Sequence, residues 1–329
     1  LGDANANWFY GGAGNDTIDG RGGIDTAFYF YLTTQGAFVD LTAGTATTGS
    51  GNDTLVSIEN VIGSSFSDSI VGAAGDNALY GYLGDDSLAG LAGNDLLDGG
   101  DGTDTADYSQ AASRVVVNLT IAAAQNTVGA GTDTLVSIEN VLGSAFNDTL
   151  TGNDASNGFF GGNGTDTIFG GNGDDFIDGG LGDDILQGNA GTDWVGYGSA
   201  IAGVTVSLAL QGAYQNTVGA GNDYIAGFEN LGGSAFADTL TGNASANVID
   251  GSQGDDTLNG GDGDDTLMSG FVVTLNGIPV LSDNDTLAGG NGTDTASYEN
   301  LTTLILDPGA APSTEGVRVS LLLQGAAQD

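Results

Sequence analysis

The chain has no cysteine, no histidine and no lysine, three prolines, and three basic residues, all arginine: Arg21, Arg114 and Arg318. Disulfides, thiolate nucleophiles and histidine-ligated zinc are therefore ruled out. With 43 acidic residues against those three, the formal charge is −40. So acidic a chain offers no face to phosphate, which excludes nucleic acid as a partner. An anionic membrane surface repels it for the same reason. No apolar run approaches the ~20 residues of a membrane span, and no secretory leader is visible at Leu1. What the chain does have is glycine, 60 of 329 residues, and a 40% hydrophobic fraction. High charge with abundant glycine points to disorder, yet the hydrophobic residues recur regularly. A chain near that boundary needs a counter-ion to fold, and cations are its natural partners.

The regularity is a repeat of nine. From Gly161 the sequence divides into GGNGTDTIF, GGNGDDFID, GGLGDDILQ and GNAGTDWVG. Asp166, Asp175, Asp184 and Asp193 fall at the sixth place, and Ile168, Ile177, Leu186 and Val195 at the eighth. The same frame puts Asn77, Asp86, Asp95 and Asp104 at the sixth place from Gly72 onward. It also fits Asp16 and Asp25 near the start, Asp256 and Asp265 in GSQGDDTLN and GGDGDDTLM, and Asp294 in GGNGTDTAS. Asp68, Asp148 and Asp238 stand one period before Asn77, Asn157 and Asn247, where the amide replaces the acid. Those asparagines keep an oxygen and lose a charge. An insert, SGFVVTLNGIPVLSDND, interrupts the run after Met268, and Asp285 is expected to rejoin it in shifted phase.

Glycine permits positive φ and tight turns and leaves backbone carbonyls accessible. The three residues after each Asp make only a short strand, with one side chain pointing inward. Two nonapeptides thus form one 18-residue coil, turn–strand–turn–strand, and successive coils stack through parallel strands. Stacking sets Asp166 beside Asp148 and Asp184, and Asp175 beside Asp193. Carboxylates about 5 Å apart repel one another. A hard divalent ion with six or more oxygen ligands removes that repulsion, and Ca²⁺ favours such a flexible cage.

The nonapeptide resembles the RTX, or hemolysin-type, calcium-binding repeat, G-G-x-G-x-D-x-U-x. The resemblance implies an all-β chain, a right-handed parallel β-roll or β-helix, in which multiple Ca²⁺ ions sit between turns. On that basis the metal candidates are the sixth-place residues named above: sixteen aspartates with Asn77, Asn157 and Asn247. The family also implies export through a type I secretion system to the cell surface or beyond.

A longer period overlies the nines. GAFVDLTAG, RVVVNLTIA, GVTVSLALQ and GVRVSLLLQ alternate as strands do. The first three continue alike, into SIENVIGSSFSDSI, SIENVLGSAFNDTL and GFENLGGSAFADTL. Each run of nines closes with a tyrosine: Tyr29, Tyr108, Tyr197 and Tyr298. The units expected are 1–29, 30–108, 109–197, 198–298 with an insert at 269–282, and 299–329. Such a series reads as a window on a longer array.

Asp53, Asp133 and Asp223 lie out of phase with the nines, and the sequence leaves them open between calcium ligation and turn capping. Glu59, Glu139, Glu229 and Glu299 each precede an asparagine. Their repetition argues against catalysis and for a hydrogen-bonded ladder or a flank of the stack. The closing tyrosines read as fillers rather than sugar platforms. Adjacent acids such as Asp174–Asp175 diverge on a turn and do not make a glycosidase pair. The position before the Asp varies too much for a matched ice-binding lattice. The expected function is structural and non-enzymatic: a calcium-loaded stalk, surface-layer or filament segment, self-associating or joined to further copies of the repeat. The alternative is the repeat region of an RTX enzyme or toxin whose catalytic domain lies elsewhere.

Overall fold

The computed structural model describes residues 1–268, 272–275, 278–281 and 285–297. Tyr298, Glu299 and the unit expected at 299–329 lie outside the described residues, as do parts of the insert. The chain forms two compact units, Leu1–Asn163 and Gly164–Asp329. Among the described residues there is no α-helix; the one helical turn is the 3₁₀ segment Leu208–Leu210.

In the first unit, successive nonapeptides feed two sheets in alternation. Asn60–Ile62, Ala78–Leu83, Leu96–Asp101 and Thr132–Val136 line one sheet; Ser69–Val71, Ser87–Ala89, Thr105–Asp107 and Asn140–Leu142 line the other. The pairing is parallel and in the register of the repeat, with Leu97 beside Leu79 and Leu88 beside Ile70. Most strands are three residues long, so only the middle side chain turns inward. Ile70, Leu79, Leu88, Leu97 and Ala106 are fully buried between the sheets. The second unit is built alike: Ile168 pairs with Leu186 and Ile177 with Val195, all without solvent exposure. Each unit is a β-roll, a solenoid of short parallel strands.

The connecting segments depart from the purely parallel stack expected of the nines. Phe38–Asp40, Thr45–Thr48 and Gly51–Val56 form an antiparallel meander. Its first strand also pairs in parallel with Ser69–Val71. Gln125–Asn126 folds back on Thr132–Val136, and Tyr214–Asn216 on Asn222–Ala226. Connections this short can only make hairpins, because a parallel crossover needs a dozen or more residues. In the insert, Val272–Leu275 and Ile278–Leu281 pair antiparallel. Beyond it, Thr286–Asn291 returns to the parallel stack beside Thr257–Asp262.

Candidate metal centre

Each sixth-place residue immediately precedes a strand, so strand register fixes its position. Its backbone amide donates to the carboxylate one coil further on. Asp68 N meets Asp86 Oδ1 at 2.7 Å, Asp86 N meets Asp104 Oδ1 at 2.8 Å, and Asn77 N meets Asp95 Oδ1 at 2.8 Å. The second unit repeats this from Asp166 to Asp184 (2.8 Å), Asp175 to Asp193 (2.9 Å), Asp238 to Asp256 (2.8 Å) and Asn247 to Asp265 (2.9 Å). Asp285 and Asp294 rejoin the columns across the insert, accepting from Asp256 N and Asp265 N over a spacing of 29 residues. The carboxylates therefore stand in columns, one per coil, with about 4.8 Å between neighbours.

One oxygen of each carboxylate that accepts in these ladders is thus satisfied. In many turns the other is not. Oδ2 of Asp16, Asp25, Asp86, Asp95 and Asp104, and of Asp184, Asp193 and Asp265, is buried without a hydrogen-bond donor. Burying such an oxygen is costly unless something compensates it. The cost shows in the protonation equilibria. Burial first, then neighbouring carboxylates, pushes Asp86 and Asp95 up to about 7, Asp104 to about 6 and Asp184 to about 8.

Glycine at the first place makes room beside this oxygen. A methyl on Gly81 would overlap both Asp86 Oδ2 and the Gly99 carbonyl of the next coil. Gly260 is wedged in the same way between Asp265 Oδ2 and the Gly289 carbonyl. Carboxylate and carbonyl oxygens thus converge in a cradle with no nitrogen or sulfur donor, the set that suits Ca²⁺. Among the described residues no three carboxylates gather at one point. A column supplies carboxylates one coil at a time, so backbone carbonyls must complete the shell. The residues fit a calcium ion.

The turns are of two kinds, distinguished by their second residue. Where Oδ2 lacks a donor, that residue is left-handed: Arg21 (φ 70°), Tyr82 (88°), Leu91 (70°) and Asn189 (73°), or a glycine such as Gly12 or Gly100. Its amide does not reach the carboxylate. At Asp68, Asp148 and Asp238 the second residue is serine, and the turn closes on itself. Ser144 N donates to Asp148 Oδ2 at 2.5 Å and Ser144 Oγ to Oδ1 at 2.7 Å; Ser64 and Ser234 do the same for Asp68 and Asp238. At Asn77, Asn157 and Asn247 the asparagine side chain closes the turn, its oxygen accepting from an amide of its own turn and its nitrogen donating to a carbonyl of the preceding coil. Asn77 Nδ2 donates to the Glu59 carbonyl at 2.7 Å, while Asn77 Oδ1 accepts from Ala73 N at 2.7 Å. Asn157 and Asn247 repeat this with Glu139 and Glu229. The asparagine that follows two of those glutamates makes the arrangement possible. Asn60 Oδ1 and Asn230 Oδ1 take the strand amides of Ala78 and Val248.

The residues left open by the sequence also join the columns. Asp53, Asp133 and Asp223 accept from Asp16 N, Asp95 N and Asp184 N at 3.0–3.1 Å, across 37, 38 and 39 residues. The hairpins absorb the extra length. Asp133 Oδ2 accepts from Thr127 Oγ1 at 2.9 Å and from the Tyr108 hydroxyl at 3.2 Å. Tyr29, Tyr108 and Tyr197 are at most 3% exposed and fill the block edges. Glu59, Glu139 and Glu229 accept from Asp25 N, Asp104 N and Asp193 N at 2.8–2.9 Å, so they continue the ladder. The adjacent acids diverge: Asp174 is exposed and takes the Thr192 amide at 2.8 Å, while Asp175 is buried in the column.

The family model of the RTX calcium-binding nonapeptide repeat matches residues 1–27, 62–97, 80–109, 138–168, 160–195, 232–267 and 281–296, more than half of the chain. The chain belongs to this RTX repeat family. None of the curated proteins matches it. RTX membership makes this a calcium-binding repeat region, and the matched stretches hold the open turns at Asp16, Asp86, Asp95, Asp184 and Asp265.

Proposed function

We propose that this RTX segment is a structural module of a secreted or cell-surface protein, a stalk, surface layer or filament, that folds when calcium fills its open turns after export. The observation that carries the reading is the recurring buried Oδ2 without a donor, in register along each column. A carboxylate so placed opposes folding when ionised, and a divalent cation reverses the sign of its contribution. The core cannot substitute for the ion, because each strand buries one apolar side chain and the ordering cost falls on every residue.

The ions are assigned to the open turns of Asp16, Asp25, Asp86, Asp95, Asp104, Asp184, Asp193 and Asp265, and by their sixth place in the repeat to Asp166, Asp175 and Asp256. Asp285 and Asp294 continue two of those columns. In each turn the aspartate and the facing carbonyls hold the ion, and the bare glycine Cα leaves it space. Where free calcium is scarce the chain stays extended and exportable. At about millimolar calcium, sites of extracellular-module affinity fill, and binding free energy becomes folding free energy. Association with further copies of the same repeat belongs to this reading.

Circular dichroism with and without calcium tests the reading. The expected outcome is a β spectrum in millimolar calcium that collapses in excess EGTA and returns on readdition. A spectrum indifferent to chelator would overturn it.

A further inference from the structure

At three places the open turns of a block end against a segment that is not a nonapeptide. Asp25, Asp104 and Asp193 are fully buried, and each has an Oδ2 without a donor. The next coil offers the sequences SIEN, SIEN and GFEN, starting at Ser57, Ser137 and Gly227. We propose that Glu59, Glu139 and Glu229 complete calcium sites at these junctions, together with Asp25, Asp104 and Asp193 and the carbonyl oxygens of Ser57, Ser137 and Gly227. The proposal rests on the calcium reading of the open turns.

Three features recur in all three copies. First, the cradle is intact. A methyl on Gly20 would overlap Asp25 Oδ2 and the Ser57 carbonyl; Gly99 meets Asp104 Oδ2 and the Ser137 carbonyl; Gly188 meets Asp193 Oδ2 and the Gly227 carbonyl. The carbonyl stands where the first glycine of another nonapeptide would present its own. Second, the residue presenting it is left-handed: Ser57 (φ 51°), Ser137 (φ 49°) and Gly227 (φ 70°). Two of the three carry a side chain that disfavours this conformation, so the aim of the carbonyl is held against a local cost. Third, the glutamate occupies the ladder position of a sixth-place aspartate. Its Oε2 accepts the Asp25, Asp104 or Asp193 amide at 2.8–2.9 Å, and its own amide returns to the same residue's carbonyl at 3.1 Å.

The exchange of Asp for Glu follows from turn length. In a nonapeptide the aspartate stands five positions after the first glycine, as Asp104 does after Gly99; Glu59 stands only two after Ser57. A turn shortened by three residues brings its backbone less far round the coil, and the extra methylene of glutamate restores the reach. The carboxylate uses Oε2 for the amide, and Oε1 is the oxygen assigned to the ion. A junction site thus has the carboxylate pair and facing carbonyl of an ordinary open turn, built from a different sequence.

The test compares the wild-type chain with E59Q/E139Q/E229Q, by calcium titration calorimetry and by counting bound ions in equilibrium dialysis. Glutamine keeps an oxygen for the amide bond and removes only the charge. The expected result is one weakened ion per substitution, needing about tenfold more calcium because affinity follows ligand charge. A titration superimposable on wild type overturns the proposal. So does a variant that binds as many ions as wild type at the same calcium but melts at a lower temperature in saturating calcium, since that marks a purely structural role. If the triple variant does not fold in calcium, E139Q alone is measured by the same criteria. A wild-type chain that binds no calcium would instead sink the calcium reading of the open turns.

Discussion

The turns around Asp68 and Asp86 are neighbours in one column and hold their carboxylates in opposite ways. Asp68 receives Ser64 N and Ser64 Oγ from its own turn and the Ala37 amide from the adjacent strand. Asp86 receives the Asp68 amide on one oxygen and nothing on the other. The difference begins with one backbone angle: Tyr82 is left-handed at φ 88°, which turns its amide away from the carboxylate, whereas Ser64 is not left-handed. In the closed turn both carboxylate oxygens have donors; in the open turn one buried oxygen has none, and a left-handed residue holds the local amide away from it. RTX sequence alone groups both as calcium repeats, but their physics differs.

The largest expected effect separating the two is that of pH on the metal-free chain. Burial and like charge raise Asp86 and Asp95 to about 7, Asp104 to about 6 and Asp184 to about 8, against 3.8 for an ordinary aspartate. A carboxylate raised by folding binds its proton more tightly in the folded state than in the unfolded one. Stability of the metal-free fold is therefore greatest at acid pH and falls as pH rises from about 4 through 8. Calcium competes with those protons, so its apparent affinity moves the other way and strengthens towards pH 8. Circular dichroism of resin-stripped protein should show more β structure at pH 5 than at pH 8. A β signal that grows with pH would mean that the open turns are satisfied without a cation.

Next in size is the filling of a cradle. Gly81→Ala drives a methyl into Asp86 Oδ2 and the Gly99 carbonyl. The expected outcome is one calcium fewer and about 1–3 kcal/mol lost from overpacking. Gly75 lies in the closed turn of Asn77, and a methyl there meets nothing within 4 Å. Gly75→Ala should be neutral or mildly stabilising, by up to ~1 kcal/mol through the unfolded chain. Urea titrations in saturating calcium read both. Equal losses at the two glycines would mean that close approach at the first place of the turn is not what the Gly81 methyl disturbs.

Much of this was legible in the sequence, because the nine-residue period dictates strand length, inward residue and column together. Ile70, Leu79, Leu88 and Leu97 could be placed in the core by counting. The state of the turn could not. GS at Gly63–Ser64 and GG at Gly99–Gly100 differ by one residue, and its meaning lies in a φ angle and an amide direction that no period encodes. Asp53, Asp133 and Asp223 seemed out of phase because phase was counted along the chain. The hairpins consume the surplus residues, and register in space is kept. The Glu–Asn pairs were visible as a repeated motif, and a ladder was their expected role. That Asn60 Oδ1 takes a strand amide, leaving the Glu59 carbonyl free for Asn77 Nδ2, needed coordinates.

The smallest effect tests the closed turn from within. Asn77→Asp keeps Oδ1 as acceptor for the Ala73 amide but replaces Nδ2, which donates to the Glu59 carbonyl, with a second acceptor. Two buried oxygens then face each other, at a cost of about 1–3 kcal/mol. The Ala73 amide already points at the residue 77 oxygen beside Gly72, so the variant should gain no ion to offset that cost. Melts in saturating calcium should show the loss, and dialysis should count the same number of ions as in wild type. If the variant instead binds one more calcium at unchanged stability, residue 77 alone decides whether its turn is open, and the Ala73 amide has no part in closing it.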